Sequence, residues 1–361
     1  MPNPQADLTY TPQEILPPGV TLHELLYEKE MTQSDLATRT GLSTKHINQI
    51  VKGTASISAG TALLLERATG LSAATWTALE SMYQVEKSRE SESRQLALDL
   101  GWLKQVPTRE LVRRGRIADR DDPVELLREV CNFFGVANRA SWEAVWERPT
   151  AFRKSRAFVS DPAKTAAWLR IGEIEAAAIE CEPFSRAGLL ASLEDLRSLT
   201  KDPDPAKWVE PLRSRCQAVG IALVMEPEIA GARVNGAARW VTPTKALIQL
   251  SLRHRWSDIF WFSFFHEIGH LLLHSKKDVF INDPNSGSGA EQEADAFASD
   301  LLIPRKYEPR LASLKSDADV IRFADEIGIG ADIVVGRLQF ERRWAYNRGH
   351  GLKHRFVFKG D

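Results

Sequence analysis

The stretch that decides the fold covers residues 264–274 and reads FFHEIGHLLLH. His266 and His270 are four residues apart, so on a helix their Cβ atoms lie roughly 6 Å apart on one face and both imidazoles can converge on one metal ion. Glu267 would flank the open coordination position and accept a proton from a metal-bound water, whose pKa zinc lowers to about 7. The spacing therefore predicts a zinc site with His266 and His270 as ligands and Glu267 as general base.

The residues around this motif are apolar on nearly every side. A mostly apolar run at 259–265 precedes His266, and Leu271, Leu272 and Leu273 follow His270. An accidental histidine pair on a surface helix would instead lie in a sequence with one polar and one apolar face. We therefore expect a buried helix, which offers the dry wall that a zinc site needs.

Further polar residues are candidates to donate a hydrogen bond to the oxyanion of a tetrahedral intermediate. His274, one turn beyond His270, is the nearest, and His254 and Tyr307 are others. Donors aimed at developing charge usually contribute most to such chemistry. An ordinary surface histidine explains His274 equally well, so both interpretations stay open.

A catalytic zinc site needs a third protein ligand, and the segment at 291–304 offers carboxylates. Its apolar spacing predicts a helix on which Glu291 and Asp295, four residues apart, share one face. We predict Glu291 as the third ligand and Asp295 as the acceptor for the free N–H of a ligand histidine. Glu293 is the fallback ligand. The alternative is an acidic first turn that only favours the helix N-terminus.

A second pattern covers residues 31–53 and predicts two short helices joined by a glycine turn. Thr32 and Ser43 suit helix N-caps, and Gly41 suits the turn. The apolar residues expected to form the small core are Leu36, Ala37, Leu42, Ile47 and Ile50. Flanking helices are expected near residues 22–29, 58–69 and 73–84.

Polar residues on the outer face of the second helix are candidates to contact DNA bases, and Gln33 suits a phosphate contact. These candidates are Thr44, Lys45, His46, Asn48 and Gln49. Residues 1–84 hold five Lys/Arg against eight Asp/Glu, a net charge of −3, which is not the basic footprint of a strong non-specific DNA binder. A dimer that reads two half-sites would share the electrostatic load. The alternative is a helical module that binds a protein partner.

Two family resemblances rest on these residues. Residues 266–270, together with the 291–304 segment and its LLIP ending, resemble the ImmA/IrrE family of metallopeptidases over roughly residues 205–310. This resemblance implies a zincin-like domain in which short strands near 234–240 and 246–251 precede the active helix and offer an edge to an extended substrate. Residues 15–19 and 48–53 resemble the XRE/Cro class of helix-turn-helix domains, and more narrowly its HigA-type antitoxin variant, over about residues 12–84.

Together the patterns predict a mainly α-helical α+β chain. Its expected parts are a five-helix helix-turn-helix domain at 12–84, a polar linker at 85–95, a helical middle region at 96–204, a zinc metallopeptidase domain with a small β-sheet at 205–310 and a C-terminal helical element with a basic tail at 311–361. The tail's cations lie among aromatic residues, which predicts either structural packing or a second DNA contact. These cations are Arg342, Arg343, Arg348, Lys353, Arg355 and Lys359.

The whole-chain numbers are typical of a cytoplasmic globular protein. Its 361 residues exceed the usual length of a single domain, its net charge is −1, and 43% of its residues are hydrophobic. Cys131, Cys181 and Cys216 are far apart and odd in number, which favours a reducing compartment over a disulfide framework. Neither a signal peptide nor an 18-residue apolar run is present, so we expect no membrane partner and no secreted protease.

Two hypotheses about function follow. In the first, a dimeric DNA-binding domain recognises an operator and carries a zinc endopeptidase that cleaves a regulatory protein. The ImmA/IrrE resemblance implies that the cleaved protein is a repressor, or a partner in a stress, mobile-element or toxin–antitoxin operon. In the second, the chain is a HigA-type antitoxin or autorepressor whose peptidase-like domain binds a cognate toxin or senses a signal without proteolysis. The complete candidate site favours the first, because a domain kept only for binding needs no general base beside two ligand histidines.

Overall fold

A computed structural model describes residues 16–147, 161–253, 255–275, 280–282 and 289–356. The chain divides into two compact units, Met1–Leu98 and Asp99–Asp361. Helices dominate both units and a small sheet lies in the second, which confirms the predicted mainly α-helical α+β class. His254, Lys359 and residues 12–15 of the predicted N-terminal domain lie outside the described residues. Among the helices described, none is both long enough and apolar enough to cross a membrane.

The first unit is a bundle of short helices followed by one long helix. Its helices are α1 (Pro18–Glu28), α2 (Gln33–Thr40), α3 (Thr44–Val51), α4 (Ala59–Thr69) and α5 (Ala73–Leu98). The Thr32 hydroxyl accepts a hydrogen bond from the Asp35 N–H, and the Ser43 hydroxyl accepts one from the His46 N–H, so both predicted N-caps are confirmed. Gly41 joins α2 to α3 with a φ of 72°, which glycine adopts without steric cost.

One apolar core holds this bundle together. Its fully or almost fully buried members include Leu22, Leu36, Ile47, Ile50, Leu65 and Trp76. Helices α1 and α3 approach so closely that a Cβ on Gly19 would lie 2.1 Å from the Ile50 carbonyl oxygen, which excludes any other residue at this position. The predicted polar linker at 85–95 is helical, because α5 continues through it to Leu98.

The middle region opens the second unit and is helical, as expected. Its first described helices are α6 (Thr108–Arg113), α7 (Pro123–Phe134), α8 (Arg139–Trp142) and α9 (Pro162–Ala178). Asp122 and Asp161 cap α7 and α9, each directly before a proline at the first helical position. Helix α9 lies against the sheet, where its Trp168 carbonyl accepts a hydrogen bond of 2.7 Å from Gln249 and its Leu169 carbonyl accepts one of 2.8 Å from Arg239. The middle region therefore supplies one of the layers that cover the sheet.

Four strands form the sheet in the described part of the second unit. After α10 (Arg186–Ser198) and α11 (Pro205–Ala218) come β1 (Ile221–Met225), β2 (Gly236–Thr242), β3 (Lys245–Leu250) and, later, β4 (Phe280–Asn282). Their spatial order is β1-β3-β2-β4, with β1 parallel to β3 and the other two pairs antiparallel. The strands that the resemblance implied near 234–240 and 246–251 are β2 and β3, and β1 and β4 flank them. Strand β4 extends the sheet on the β2 side.

Five further helices follow in the described part of the second unit, and the first of them packs against the sheet. They are α12 (Ser257–Leu273), α13 (Gly289–Leu302), α14 (Glu308–Leu311), α15 (Asp317–Ile327) and α16 (Ala331–Phe340). Helix α12 contacts β2, β3, α13 and α16, and it is buried along nearly its whole length, as its sequence predicts. Its side chains in the core include Phe260, Trp261, Phe264, Phe265 and Ile268.

The same apolar core continues past residue 310 into the C-terminal segment. Val334 and Leu338 of α16 are fully buried in it, and Trp344 and Phe356 of the tail are 5% and 8% exposed. Lys353 is also buried, with its ammonium 2.8 Å from Oδ2 of Asp258 in the first turn of α12. The sequence left open whether the tail packs on the protein or contacts DNA, and these three tail residues pack on the protein.

Candidate metal centre

Helices α12 and α13 bring three ligand-type side chains to one point. The Nε2 atoms of His266 and His270 lie 3.0 Å apart, and the Glu291 carboxylate lies 3.1 Å from the first and 3.4 Å from the second. The candidate ligand atoms of the three residues all lie within 4.8 Å of one another. The residues are 1%, 1% and 7% exposed, so the cluster is buried. Two imidazoles and a carboxylate in this arrangement are the donor set of a catalytic zinc site.

Small residues let the two helices approach closely enough for this convergence. A Cβ on Gly269, between the two histidines on α12, would lie 3.1 Å from Cα of Ala294 on α13. A larger residue at either position would force the helices apart and move Glu291 away from the histidines. The glycine and alanine at these positions are signals that the sequence patterns above did not use.

The electrostatics of the cluster keep Glu291 ionised. Burial would raise the pKa of Glu291, but hydrogen bonds from His266 and His270 lower it to about 2. Burial would lower the pKa of His266, yet its hydrogen bonds to Asp295 and Glu291 raise it to about 10. Burial dominates at His270 and lowers its pKa. The cluster thus holds a carboxylate that favours a neighbouring positive charge, whether a proton or a metal ion.

The other two predicted carboxylates lie outside the cluster and contact histidines. Asp295 lies 2.8 Å from Nδ1 of His266, where it was predicted to support a ligand histidine. Glu293, the fallback ligand, is directed instead to Nε2 of His274 at 3.0 Å. The described geometry therefore favours Glu291 over Glu293 as the third ligand.

The two predicted hydrogen-bond donors that the structure describes, His274 and Tyr307, each lie beside another ring. His274 is on the far side of His270, with its Nδ1 3.0 Å from Nδ1 of His270, whereas Nε2 of His270 faces the cluster. Tyr307 packs its ring against Phe323, 6.1 Å between centroids. His274 thus contacts the His270 nitrogen that does not face the cluster, and its predicted contact with an oxyanion stays a prediction.

Glu267 lies beside the cluster and is fully buried. Its carboxylate fits against the start of β2, where a Cβ on Gly236 would lie 2.6 Å from its Oε1 atom. Glycine at position 236 therefore leaves the space that the Glu267 side chain occupies. Gly236 and its neighbour Asn235 are further residues of the site that the sequence patterns did not single out.

A cavity of about 300 Å³ opens next to His266. Most of its wall area is apolar, and the wall comes from α12, α13 and α16, with Asn235 at the sheet end. Charged side chains also line it, namely Asp258, Glu291, Asp295 and Arg337. The apolar lining includes Phe262, Leu302, Ile303, Ile333 and Phe340. Phe340 is 85% exposed at the mouth. Helix α16, which the sequence patterns placed outside the peptidase domain, thus contributes to the surroundings of the candidate metal centre.

The candidate DNA-contacting residues lie on α2 and α3. Thr44 and Lys45 are exposed, whereas His46, Asn48, Gln49 and Gln33 are half-buried. The Asn48 amide donates a hydrogen bond of 3.2 Å to Oε1 of Gln33, so these two side chains hold each other in place. The structure therefore presents a polar surface at the start of α3, with one internal contact that the sequence did not predict.

Comparisons with known proteins match both units. The family described as the IrrE N-terminal-like domain matches residues 232–339, which include the whole histidine and carboxylate cluster and most of α16. The helix-turn-helix family matches residues 22–76. A search of the curated proteins finds no match.

Solved structures that resemble the chain are similar to a short part of it. The antitoxin HigA of Pseudomonas aeruginosa, solved with the higBA promoter, is 30% identical, and the match covers 23% of this chain and 90% of that one with a TM-score of 0.22. An addiction module antidote protein of the HigA family from Coxiella burnetii is 26% identical, with coverages of 23% and 92% and the same TM-score of 0.22.

Proposed function

We propose that this chain, which joins a helix-turn-helix domain to an IrrE N-terminal-like domain, is a DNA-binding regulator with zinc-dependent endopeptidase activity. The observation that carries the proposal is the buried convergence of His266, His270 and Glu291 with Glu267 beside them. These four residues supply three ligands and a base, which is the complement that metal-assisted peptide hydrolysis requires.

The chain's own residues support each part of that chemistry. A bound zinc ion would lower the pKa of a water molecule and polarise the scissile carbonyl. Glu267 would accept the proton of that water and pass it to the leaving amine. Asp295, 2.8 Å from Nδ1 of His266, would hold that ring in the orientation that directs Nε2 to the ligand position.

The cavity beside His266 gives the proposed peptidase a place for a substrate side chain. Its mostly apolar wall favours an apolar residue close to the scissile bond. The charged residues of the lining already have partners. Arg337 pairs with Glu341 at 2.5 Å and Asp258 with Lys353 at 2.8 Å. Asp295 and Glu291 lie 2.8 and 3.1 Å from the His266 ring nitrogens. We therefore propose that the peptidase cleaves next to an apolar residue of a regulatory protein.

The helix-turn-helix unit would bring this activity to an operator. The exposed Thr44 and Lys45 and the half-buried Gln49 suit contacts in the major groove, and the pairing of Asn48 with Gln33 orders the surface beforehand. Because the charge of residues 1–84 is −3, we propose that two copies act together on two half-sites. The substrate would then be a repressor or another regulator in the cytoplasm.

The deciding experiment incubates the purified zinc-loaded protein with lysate of its source cells, with and without a chelator, and identifies new protein termini by mass spectrometry. We expect chelator-sensitive cleavage of a transcription regulator next to an apolar residue. The matched control is Glu267→Gln, which keeps the side-chain shape but cannot act as a base.

If the wild-type protein binds about one zinc per chain and the termini are the same in all samples, the peptidase proposal is wrong. The chain would then be a DNA-binding protein whose second domain binds a partner, such as a toxin. If the purified protein binds less than about one zinc per chain, the proposed metal site itself is wrong.

A further inference from the structure

We propose that His274 and Glu293 form a positioning relay that fixes the orientation and tautomer of His270. The inference rests on the proposed metal site and assigns to His274 a role behind the ligand rather than in contact with the substrate. Its basis is a continuous chain of polar contacts from Glu293 through His274 to His270.

The geometry assigns a role to each imidazole nitrogen of His270 and His274. Nε2 of His270 faces the cluster, 3.0 Å from Nε2 of His266 and 3.4 Å from the Glu291 carboxylate. In the zinc-bound protein a ligand nitrogen offers its lone pair, so a neutral His270 would no longer donate from Nε2 and would carry its hydrogen on Nδ1. That hydrogen points to Nδ1 of His274 at 3.0 Å, which must then accept it.

The same logic continues to the surface. If Nδ1 of His274 accepts a hydrogen bond, the hydrogen of a neutral His274 is on Nε2. Nε2 lies 3.0 Å from Oε2 of Glu293, a carboxylate that can only accept. Every donor in the relay from His270 to Glu293 therefore meets an acceptor, and the hydrogens of both imidazoles point away from the buried ligand towards Glu293.

The local fold explains why this arrangement forms. His274 ends α12 as its C-cap, with its N–H 3.2 Å from the His270 carbonyl, and its backbone leaves the helical conformation there. Glu291 and Glu293 are two positions apart on α13 and thus differ by about 200° around the helix axis. One carboxylate can therefore contact the cluster while the other contacts His274, and the His274 side chain remains 11% exposed.

The two ligand histidines are supported differently. His266 contacts the Asp295 carboxylate directly at 2.8 Å, whereas an imidazole separates His270 from its carboxylate. A neutral imidazole is a weaker acceptor than a carboxylate, so His270 should be the less basic ligand. If His274 and Glu293 formed only a surface pair, its loss would leave zinc binding unchanged.

The first test measures zinc affinity of the full chain by competition with a chromophoric chelator. His274→Phe removes the acceptor for His270 and should weaken zinc binding by about 10- to 100-fold. His274→Asn retains an amide oxygen near the position of Nδ1 and should restore most of the affinity. Glu293→Gln should weaken binding less than His274→Phe, and Gln292→Ala, an exposed neighbour on α13, should leave it unchanged.

The second test reads the tautomers directly in the zinc-loaded wild-type protein. Long-range nitrogen–proton NMR should find the hydrogen of His270 on Nδ1 and that of His274 on Nε2. Because this measurement needs no variant, it decides the question even if His274→Phe does not fold. The opposite tautomer of His274, or wild-type zinc affinity in a folded His274→Phe variant, overturns the relay. Failure of the wild-type protein to bind zinc contradicts the proposed function instead.

Discussion

The helix-turn-helix surface and the candidate metal centre present their polar residues in opposite ways. Thr44 and Lys45 are exposed to solvent on α3, whereas His266, His270 and Glu267 are at most 1% exposed. Water satisfies the polar groups of the first region, but a buried polar group must find a partner within the protein or is strongly destabilising. The candidate metal centre therefore depends on contacts from distant parts of the chain, and the candidate DNA-contacting surface depends mainly on one helix and its neighbour.

The largest expected effect separates the activities of the two regions. Glu267→Gln removes the proposed base and should lower the rate of peptide cleavage by about 10²- to 10⁴-fold. Zinc content and binding to a selected DNA sequence should stay at wild-type levels, because the substitution preserves the side-chain shape. Cleavage assays and DNA-binding titrations on the same preparation check this, and a variant that cleaves within tenfold of wild type would exclude Glu267 as the base.

Zinc should stabilise the two regions unequally. At a free concentration of about 1,000 times its dissociation constant, zinc should raise the free energy of opening around its site by about 4 kcal/mol. We expect slower amide hydrogen exchange in α12 and α13 on zinc addition and no change in α2 and α3, which serve as the internal control. Equal protection of all four helices would mean that zinc acts elsewhere than at the predicted ligands.

Two aspartates should give the regions opposite pH dependence. Burial raises the pKa of Asp332 from its usual 3.8 to about 6, against a hydrogen bond from Ser257 that lowers it. Protonated Asp332 therefore stabilises the fold below pH 4, and this contribution is lost as the pH rises through 6. In the first unit, the hydrogen bonds of Thr32 lower the pKa of the exposed Asp35, so its contribution is lost as the pH falls below 4.

The test is Asp332→Asn, which keeps the protonated shape at every pH. Between pH 4 and pH 7, the free energy of unfolding of the variant should rise relative to that of wild type by up to about 3 kcal/mol, because the pKa of Asp332 is raised by about two units. Urea denaturation across this range measures the difference. A constant difference between the two proteins would show that Asp332 does not titrate there.

The smallest expected effect is on DNA binding by the solvent-exposed surface of α3. Lys45→Ala should lower the slope of log affinity against log salt by about one, because one phosphate contact is lost. Arg67→Ala, an exposed cation in the last turn of α4, is the matched control and should leave the slope unchanged. The measurement needs a DNA sequence selected from a random pool. Equal slopes for wild type and the Lys45 variant would contradict the proposal that α3 contacts DNA.

Local patterns anticipated much of both regions. The caps at Thr32 and Ser43, the turn at Gly41 and the course of α12 follow from short-range rules and are found in the structure. The predicted roles of the site residues stay predictions, although His266, His270 and Glu291 do converge. Strand β4 was not anticipated, because three residues carry too little periodicity to be distinguished from a loop.

The sequence by itself determined the parts that depend on neighbours along the chain. The four-residue spacing of His266 and His270 puts two imidazoles on one helix face, and the same spacing puts the carboxylates of Glu291 and Asp295 on one face of another helix. Only the tertiary structure decided which carboxylate faces which histidine nitrogen, that Gly236 makes room for Glu267, and that α16 lines the cavity. Those features join residues far apart in sequence through close packing, and no local pattern contains the distance between them.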